Sequence, residues 1–435
     1  MRVIISKYSF SLVTISFFLM IILGSFLLYL PGIVKTQSLL FIDSFFIATS
    51  VITGIGVLPI SLYNFTTIGK TILMLLMYIG NIGILIILLG IIFYFTTYSI
   101  EWYSLTTELF TIVSIRTISY LFKIIFISTL AVQIFGISTF YLLSKHLSVD
   151  LALIDALFLS INFFCNVGLA IETIVPSVFY TNIWYYIISS IIIIIGSCGF
   201  LLLFECQEYC KQKKIGKQFS FSFTSQLMYR TYIFTTILFW IFYFSTCEPH
   251  FSLFSIIRSF FAAISFRSCG MNPYDNVSSG IAFISAIYGL FGGGVLGPCG
   301  GIKSSILGII IYTFLSIIKK EDTVVIYNKK ISWQLISLAH IFLFYTIGLT
   351  TIISIIIDIC HYHNIQFVLI YADILSLIGS GALWSSLLLE ASHKEKILYI
   401  LIMIFAKIAV FGVGLYLSKL KKSELVYPEA KLIVI

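Results

Sequence analysis

The chain has 435 residues, of which 60% are hydrophobic and only 10% charged, with a mean hydropathy of +1.08. That composition excludes an ordinary soluble domain. The net charge of +8 collects between apolar runs, as membrane topology demands, and gives no ground for nucleic-acid binding.

A helix needs about 20 apolar residues to cross a bilayer. Suitable windows run over 10–30, 72–95, 121–143, 183–204, 232–244, 281–318 with an interruption, 333–357 and 397–417, which we read as eight spans. The first follows Arg2 and Lys7, as a signal peptide would. It lacks a small-residue cleavage site and is expected to be a retained helix. Within each pair of spans lies a shorter apolar segment, at 39–50, 151–164, 251–264 and 367–378. These are too short to cross and suit re-entrant helices. Backbone that dips into a membrane without crossing it survives only when buried in protein or lining a watery cavity.

Each short segment meets hydroxyl or amide residues and then glycine. The four are Ala48-Thr-Ser-Val-Ile-Thr-Gly-Ile-Gly56, Ser160-Ile-Asn-Phe-Phe-Cys-Asn-Val-Gly168, Ser265-Phe-Arg-Ser-Cys-Gly270 and Ser376-Leu-Ile-Gly-Ser-Gly-Ala382. Glycine and serine also serve as packing residues in membrane helices; recurrence at four corresponding places favours a repeated device. A dehydrated cation must exchange its water shell for oxygens, and backbone carbonyls aimed at an axis supply them. Glycine lets successive carbonyls turn the same way. The C-terminal end of each short helix adds about 0.3–1 kcal/mol in favour of a cation. Thr49, Ser50, Thr53, Asn162 and Asn166 are placed to brace the loops. The expected fold is therefore an all-α polytopic membrane protein with four tandem helix–pore-helix–filter-loop–helix units around one pseudo-fourfold pore.

Lys211, Lys213, Lys214, Lys217 and Arg230 fall on one side of this topology. So do Lys319, Lys320, Lys329 and Lys330, and the terminal Arg2, Lys7, Lys419, Lys421, Lys422 and Lys431. Positive charge marks the cytoplasmic side, so both termini are expected there and the short segments enter from outside. The segment 99–117, with Glu101 and Glu108 against Arg116, carries little weight either way.

The sixth span is broken by Phe291-Gly-Gly-Gly-Val-Leu-Gly-Pro-Cys-Gly-Gly-Ile-Lys303. Pro298 and this glycine content cannot sustain a helix. A loop that moves beneath a filter, as a gate, fits the pattern. A phosphate-binding loop does not, because Ile302 separates Gly301 from Lys303 and no strand precedes it.

These motifs resemble the membrane subunit of the Trk/Ktr/HKT potassium transporters over nearly the whole length. The resemblance implies pore units at 1–100, 101–210, 211–325 (with the broken helix and gating loop) and 326–420, and a cytoplasmic tail at 421–435. In the first loop the filter residues are Thr53, Gly54, Ile55 and Gly56, with Gly54 the first choice of filter glycine and Gly56 the alternative. The second contributes Cys165, Asn166, Val167 and Gly168, the third Ser268, Cys269 and Gly270, and the fourth Ser380, Gly381 and Ala382. The resemblance implies potassium ions at the filter carbonyls as the transported ion, and no covalent cofactor. The gate comprises Gly292, Gly293, Gly294, Gly297, Gly300, Gly301 and Lys303, with Lys407 in the last helix as a charge below the filter. Arg267 and Asp373 brace the filter. Expected partners are a second copy in a homodimer, a separate cytoplasmic nucleotide-binding regulator of the RCK type, and membrane lipid. The regulator or anionic lipid would meet the basic segment 211–217 and the C-terminal tail.

Three departures stand out. Ala382 occupies the fourth glycine position unless the register shifts to Gly381, Lys407 replaces an arginine, and Pro298 sits late in its loop. A distorted fourth loop would make the pore sodium-permeable or weakly selective, the alternative to strict potassium uptake. A carrier or membrane enzyme for a larger solute has no use for a narrow carbonyl ring, and no nucleophile with a supporting base is evident. Lys303 either stabilises the gating loop or marks a helix start. Asp358, Cys360, His361 and His363 form either a metal site or a polar loop cap. Cys165, Cys269 and Cys299 lie near the expected pore lining, and Cys206 and Cys210 near a helix end, with no pairing pattern.

Overall fold

The computed structural model describes residues 2–35, 39–83, 115–171, 175–274, 277–294, 297, 299–360, 366–379, 381 and 391–417. The described residues are mostly helical. Long helices α1 (Arg2–Tyr29), α4 (Ile115–His146), α8 (Phe223–Cys247), α12 (Trp333–Cys360) and α14 (His393–Leu417) have 25 residues or more, enough at about 1.5 Å per residue to cross a bilayer. Each of α1, α4, α8 and α12 is followed by a short helix: α2 (Phe41–Thr53), α5 (Leu153–Phe164), α9 (Leu253–Ser268) and α13 (Phe367–Gly379). A second helix then returns: α3 (Thr67–Tyr78), extended by a π turn over Ile79–Gly83, α6 (Ile183–Ser197), α10 (Ser279–Leu290) and α14.

The long helices turn apolar side chains outward. Leu19 and Leu23 on α1, Phe126 and Ile134 on α4, and Phe344 and Ile352 on α12 are exposed, as suits surfaces that contact lipid. The short helices are the reverse. Thr49, Ser50, Ser160, Asn162, Ser265 and Ser376 are fully buried in them, and polar residues inside a membrane protein collect where other polar groups or water meet them.

The packing is cyclic. α3 lies on α5, α6 on α9, α10 on α13, and α14 returns to α2. Two of these seams are ion pairs at matching positions. Lys70, fourth residue of α3, pairs with Asp155, third of α5; Lys396, fourth of α14, pairs with Asp43, third of α2, at 2.7 Å. The other two are aromatic, Tyr186 against Phe254 and Phe261, and Phe283 against Tyr371.

The span expected over 183–204 is not one helix. α6 ends at Ser197, and α7 (Phe200–Lys214) leaves it at 93°. Between them Gly199 takes φ +81 and ψ 145, a backbone state open essentially to glycine alone, which ends the helical ladder. The sixth span is broken as expected, with α10 stopping at Leu290 and α11 (Ser304–Ile318) starting afresh. A hairpin of β1 (Val325–Ile326) and β2 (Lys329–Lys330) follows, its turn residues Tyr327 and Asn328 both at positive φ.

Candidate functional site: a ring of glycine loops above a braced loop

The loops after α2, α5 and α9 are built on the same local device. In each, one polar residue of the short helix anchors the returning chain twice. The Ser50 carbonyl accepts from Ile55 N at 3.0 Å, and Ser50 Oγ accepts from Val57 N at 2.6 Å. The Asn162 carbonyl accepts from Val167 N at 3.1 Å, and its Oδ1 from Leu169 N at 3.0 Å. The Ser265 carbonyl accepts from Gly270 N at 2.7 Å, and its Oγ from Met271 N at 2.9 Å. The anchored side-chain partner is in each case the residue after a glycine at positive φ: Gly56, Gly168 and Gly270.

This correspondence decides the first loop. Gly56, not Gly54, matches Gly168 and Gly270; Gly54 is the left-handed cap of α2. In the fourth loop Gly381 N donates to the Ser376 carbonyl at 3.2 Å, the same five-residue step as Gly270 to Ser265. Gly381 is not at positive φ, however, and in the first two loops the glycine stands one residue later, so this bond does not choose between Gly381 and Ala382. Ser380 and Ala382 lie outside the described residues.

The loops abut one another through bare backbone. A β-carbon on Gly56 would collide with the Val167 carbonyl, and one on Gly168 with the Cys269 carbonyl. No side chain fits at either place, so the first loop touches the second and the second the third. A β-carbon on Gly381 would stand 3.6 Å from the Phe266 carbonyl oxygen, which brings the fourth loop beside the third. Cys165, Asn166, Val167 and Cys269 are buried here, and Asn166 itself takes φ +53.

Arg267 is fully buried, yet it braces the broken span rather than its own loop. Nε and Nη2 donate to the carbonyls of Phe291 and Gly292 at 3.2 and 3.3 Å, and Nη2 donates to Ser304 Oγ at 2.9 Å. Nη1 reaches the Tyr232 carbonyl and the hydroxyls of Thr235 and Thr236 at 3.1–3.2 Å. Its guanidinium also lies over the Tyr232 ring, 3.9 Å from the centroid. The planar fork of arginine can serve this many oxygens at once. Lys303 is placed by two features. It precedes the first turn of α11, and its Nζ donates to the Cys299 and Gly297 carbonyls at 2.8 and 3.4 Å.

Lys407 reaches the ring itself, donating from Nζ to the Thr53 carbonyl at 2.9 Å. Gly292, Gly293, Gly294 and Gly301 approach backbone so closely that a β-carbon on any of them would collide with a carbonyl. Asp373 is fully buried in α13. Among the described residues no cluster of metal-ligating side chains occurs; His361 and His363 of the expected cluster lie outside them. The ion pairs at the seams and the bend at Gly199 had no counterpart in the sequence reading.

No protein-family model matches the chain. Among curated proteins it is similar to the Ktr system potassium uptake protein B of Bacillus subtilis, 23% identical over 440 residues and covering 96% of this chain and 94% of that one. The protein of the same name from Vibrio alginolyticus is 24% identical over 434 residues, covering 96% and 93%. The potassium/sodium uptake protein NtpJ of Enterococcus hirae is 22% identical, covering 92% and 91%. The crystal structure of the potassium transporter TrkH from Vibrio parahaemolyticus superposes with a TM-score of 0.71 at 15% identity, over 94% of this chain and 84% of that one. The chain is thus similar over nearly its whole length to the Ktr potassium uptake proteins and shares the fold of TrkH.

Proposed function

We propose that this protein takes up potassium across the cytoplasmic membrane through a single channel-like pore. The observation that carries the reading is the contact of glycine loops through backbone alone, Gly56 on Val167 and Gly168 on Cys269. Packing of this kind leaves carbonyls rather than side chains to line a path, and carbonyls are what a dehydrated cation requires. The ring comprises the loops around Gly56, Gly168, Gly270 and Gly381. The loop 291–303 gates it from below, with Lys303 and Lys407 as the adjacent charges. Inward flux draws on the membrane potential, worth about 2.3 kcal/mol per charge per 100 mV. Both termini face the cytoplasm. The protein works as a homodimer, each protomer with its own pore, under a separate nucleotide-binding regulator.

A sodium-permeable pore is the second reading, favoured by Ala382 in the fourth loop and by the similarity to the potassium/sodium uptake protein of Enterococcus hirae. The bond from Gly381 N to the Ser376 carbonyl, counterpart of Gly270 N to Ser265, supports a fourth loop that still turns as the third does.

Both are tested by cation uptake in a potassium-uptake-deficient bacterium that also expresses the regulator. Rescue at low external potassium is expected, with Gly270→Ser weakening it, and excess sodium should compete poorly. Strong sodium competition would favour the second reading. If the inserted protein passes no monovalent cation, the pore reading fails.

A further inference from the structure

The loop 291–303 rests on the bend between α6 and α7 by backbone contact. Gly294 N donates to the Ser197 carbonyl at 2.7 Å. A β-carbon on Gly293 would strike that same carbonyl, and one on Gly294 would strike the Cys198 carbonyl. One on Gly297 would lie 3.3 Å from Gly199 Cα. A second link runs through side chains. Ser197 Oγ bonds Tyr232 Oη at 2.9 Å, and the Tyr232 carbonyl accepts from Arg267, which holds Phe291 and Gly292. The bend and the loop therefore cannot shift independently.

α7 is what the bend delivers. Because it leaves a membrane helix at 93°, its axis runs close to the membrane plane. Its N-terminal half is fixed to the bundle. Phe204 meets Tyr120 edge to face, and the buried Glu205 carboxylate accepts from Ser222 N at the start of α8. Beyond Glu205 it stays tied to Tyr120 through Gln207 and Lys211 and becomes strongly basic. Over 206–220 four lysines stand against the single carboxylate of Glu208. Lys211 is occupied with Glu208 and Tyr120. Lys213, Lys214 and Lys217 are exposed and make no ion pair among the described residues, and Tyr209 and Ile215 are exposed beside them.

We propose that the basic end of α7 binds acidic phospholipid headgroups of the inner leaflet through Lys213, Lys214 and Lys217, and that the bend at Gly199 passes this contact to the loop 291–303. A helix leaving a span near a right angle puts its lysines at headgroup depth, where each is worth about 1 kcal/mol against an anionic surface. A protein partner would need no such placement in the membrane plane. This inference rests on the uptake reading for its effect on flux, but not for the lipid contact.

The test reconstitutes the full chain, without a regulator, in phosphatidylcholine vesicles with and without phosphatidylglycerol. Rubidium flux is measured in both. Quenching by brominated lipid is read from a fluorophore on Cys210 in a Cys206→Ser background. Flux is expected to change about fivefold when phosphatidylglycerol is added. Brominated phosphatidylglycerol should quench more than brominated phosphatidylcholine. In Lys213→Gln/Lys214→Gln/Lys217→Gln both differences should vanish while flux in pure phosphatidylcholine persists. Flux and quenching that ignore the anionic lipid would overturn the proposal and assign the surface to a protein partner. Preferential quenching with unchanged flux would overturn the coupling to the loop. Absence of flux in every vesicle would count against the uptake reading, and the quenching comparison then decides the lipid contact by itself.

Discussion

Lys407 and Thr53 lie 354 positions apart and meet in one hydrogen bond, Nζ to carbonyl oxygen at 2.9 Å. Thr53 is the last residue of α2, so its carbonyl belongs to the partially negative end of that helix. In the proposed pore, an ammonium there would occupy an oxygen that a passing cation needs. Lys407→Met is expected to raise rubidium uptake several-fold and to lower stability by about 1.5–3 kcal/mol, the usual worth of a charge-assisted hydrogen bond. Lys407→Arg should restore most of the stability. Uptake that stays level or falls in Lys407→Met would remove the lysine from the permeation path.

The two glycines of the first loop separate cleanly by substitution. A β-carbon on Gly54 would meet the Asn81 side-chain oxygen at 2.7 Å, a group able to turn aside, whereas on Gly56 it would strike the Val167 backbone. Gly54→Ala should therefore cost about 1–2 kcal/mol, mainly from left-handed strain, and leave potassium preference intact. Gly56→Ala should abolish the preference for potassium over sodium or prevent folding. Equal effects on the rubidium-to-sodium uptake ratio would undo the assignment of Gly56 to the ring.

Much of this arrangement was legible in the residues. Spans and re-entrant helices follow from apolar run length, and the broken sixth span from Gly292–Gly294 and Pro298. The bend at Gly199 was hidden because apolar residues continue on both sides, from Ile191 to Phe204, so hydropathy sees one segment where the backbone makes two. Choosing Gly56 over Gly54 needs the position of Ser50, since adjacent glycines are alike until an anchor distinguishes them. Arg267 was recognised as a brace, but what it braces lies 24 and 25 residues on, at Phe291 and Gly292, and only folding brings them together.

Arg267 offers a sharper test of the broken span. Its charge is buried among neutral oxygens, and truncation would leave several of them without a donor. Arg267→Met is expected not to accumulate as folded protein. Arg267→Lys keeps the charge but cannot reach both sides, losing at least two bonds worth about 1.5–3 kcal/mol each. It should unfold at lower temperature and conduct several-fold faster than the parent in vesicles without a regulator, because the tie to Phe291 and Gly292 is weakened. Unchanged flux in Arg267→Lys would show that the loop is held elsewhere.

The ring closes where the chain's last helix meets its first short one, through Lys396 and Asp43 at 2.7 Å. Both side chains are mostly covered, 11% and 18% exposed, so this pair is screened less than a surface pair and should exceed the usual fraction of a kcal/mol. Lys396→Met or Asp43→Asn is expected to cost about 1–3 kcal/mol, since each leaves a partly buried charge unpaired. The exchanged pair Lys396→Asp/Asp43→Lys should recover at least half of that loss, a coupling that independent sites would not show. Thermal midpoints of the parent, Lys396→Asp, Asp43→Lys and the exchanged pair in one detergent measure it. Potassium preference should fall and recover with stability, because the seam carries α2 and hence the loop at Gly56. Simple additivity of the single changes would mean that the fourth unit is held to the first by apolar packing between α14 and α2 instead.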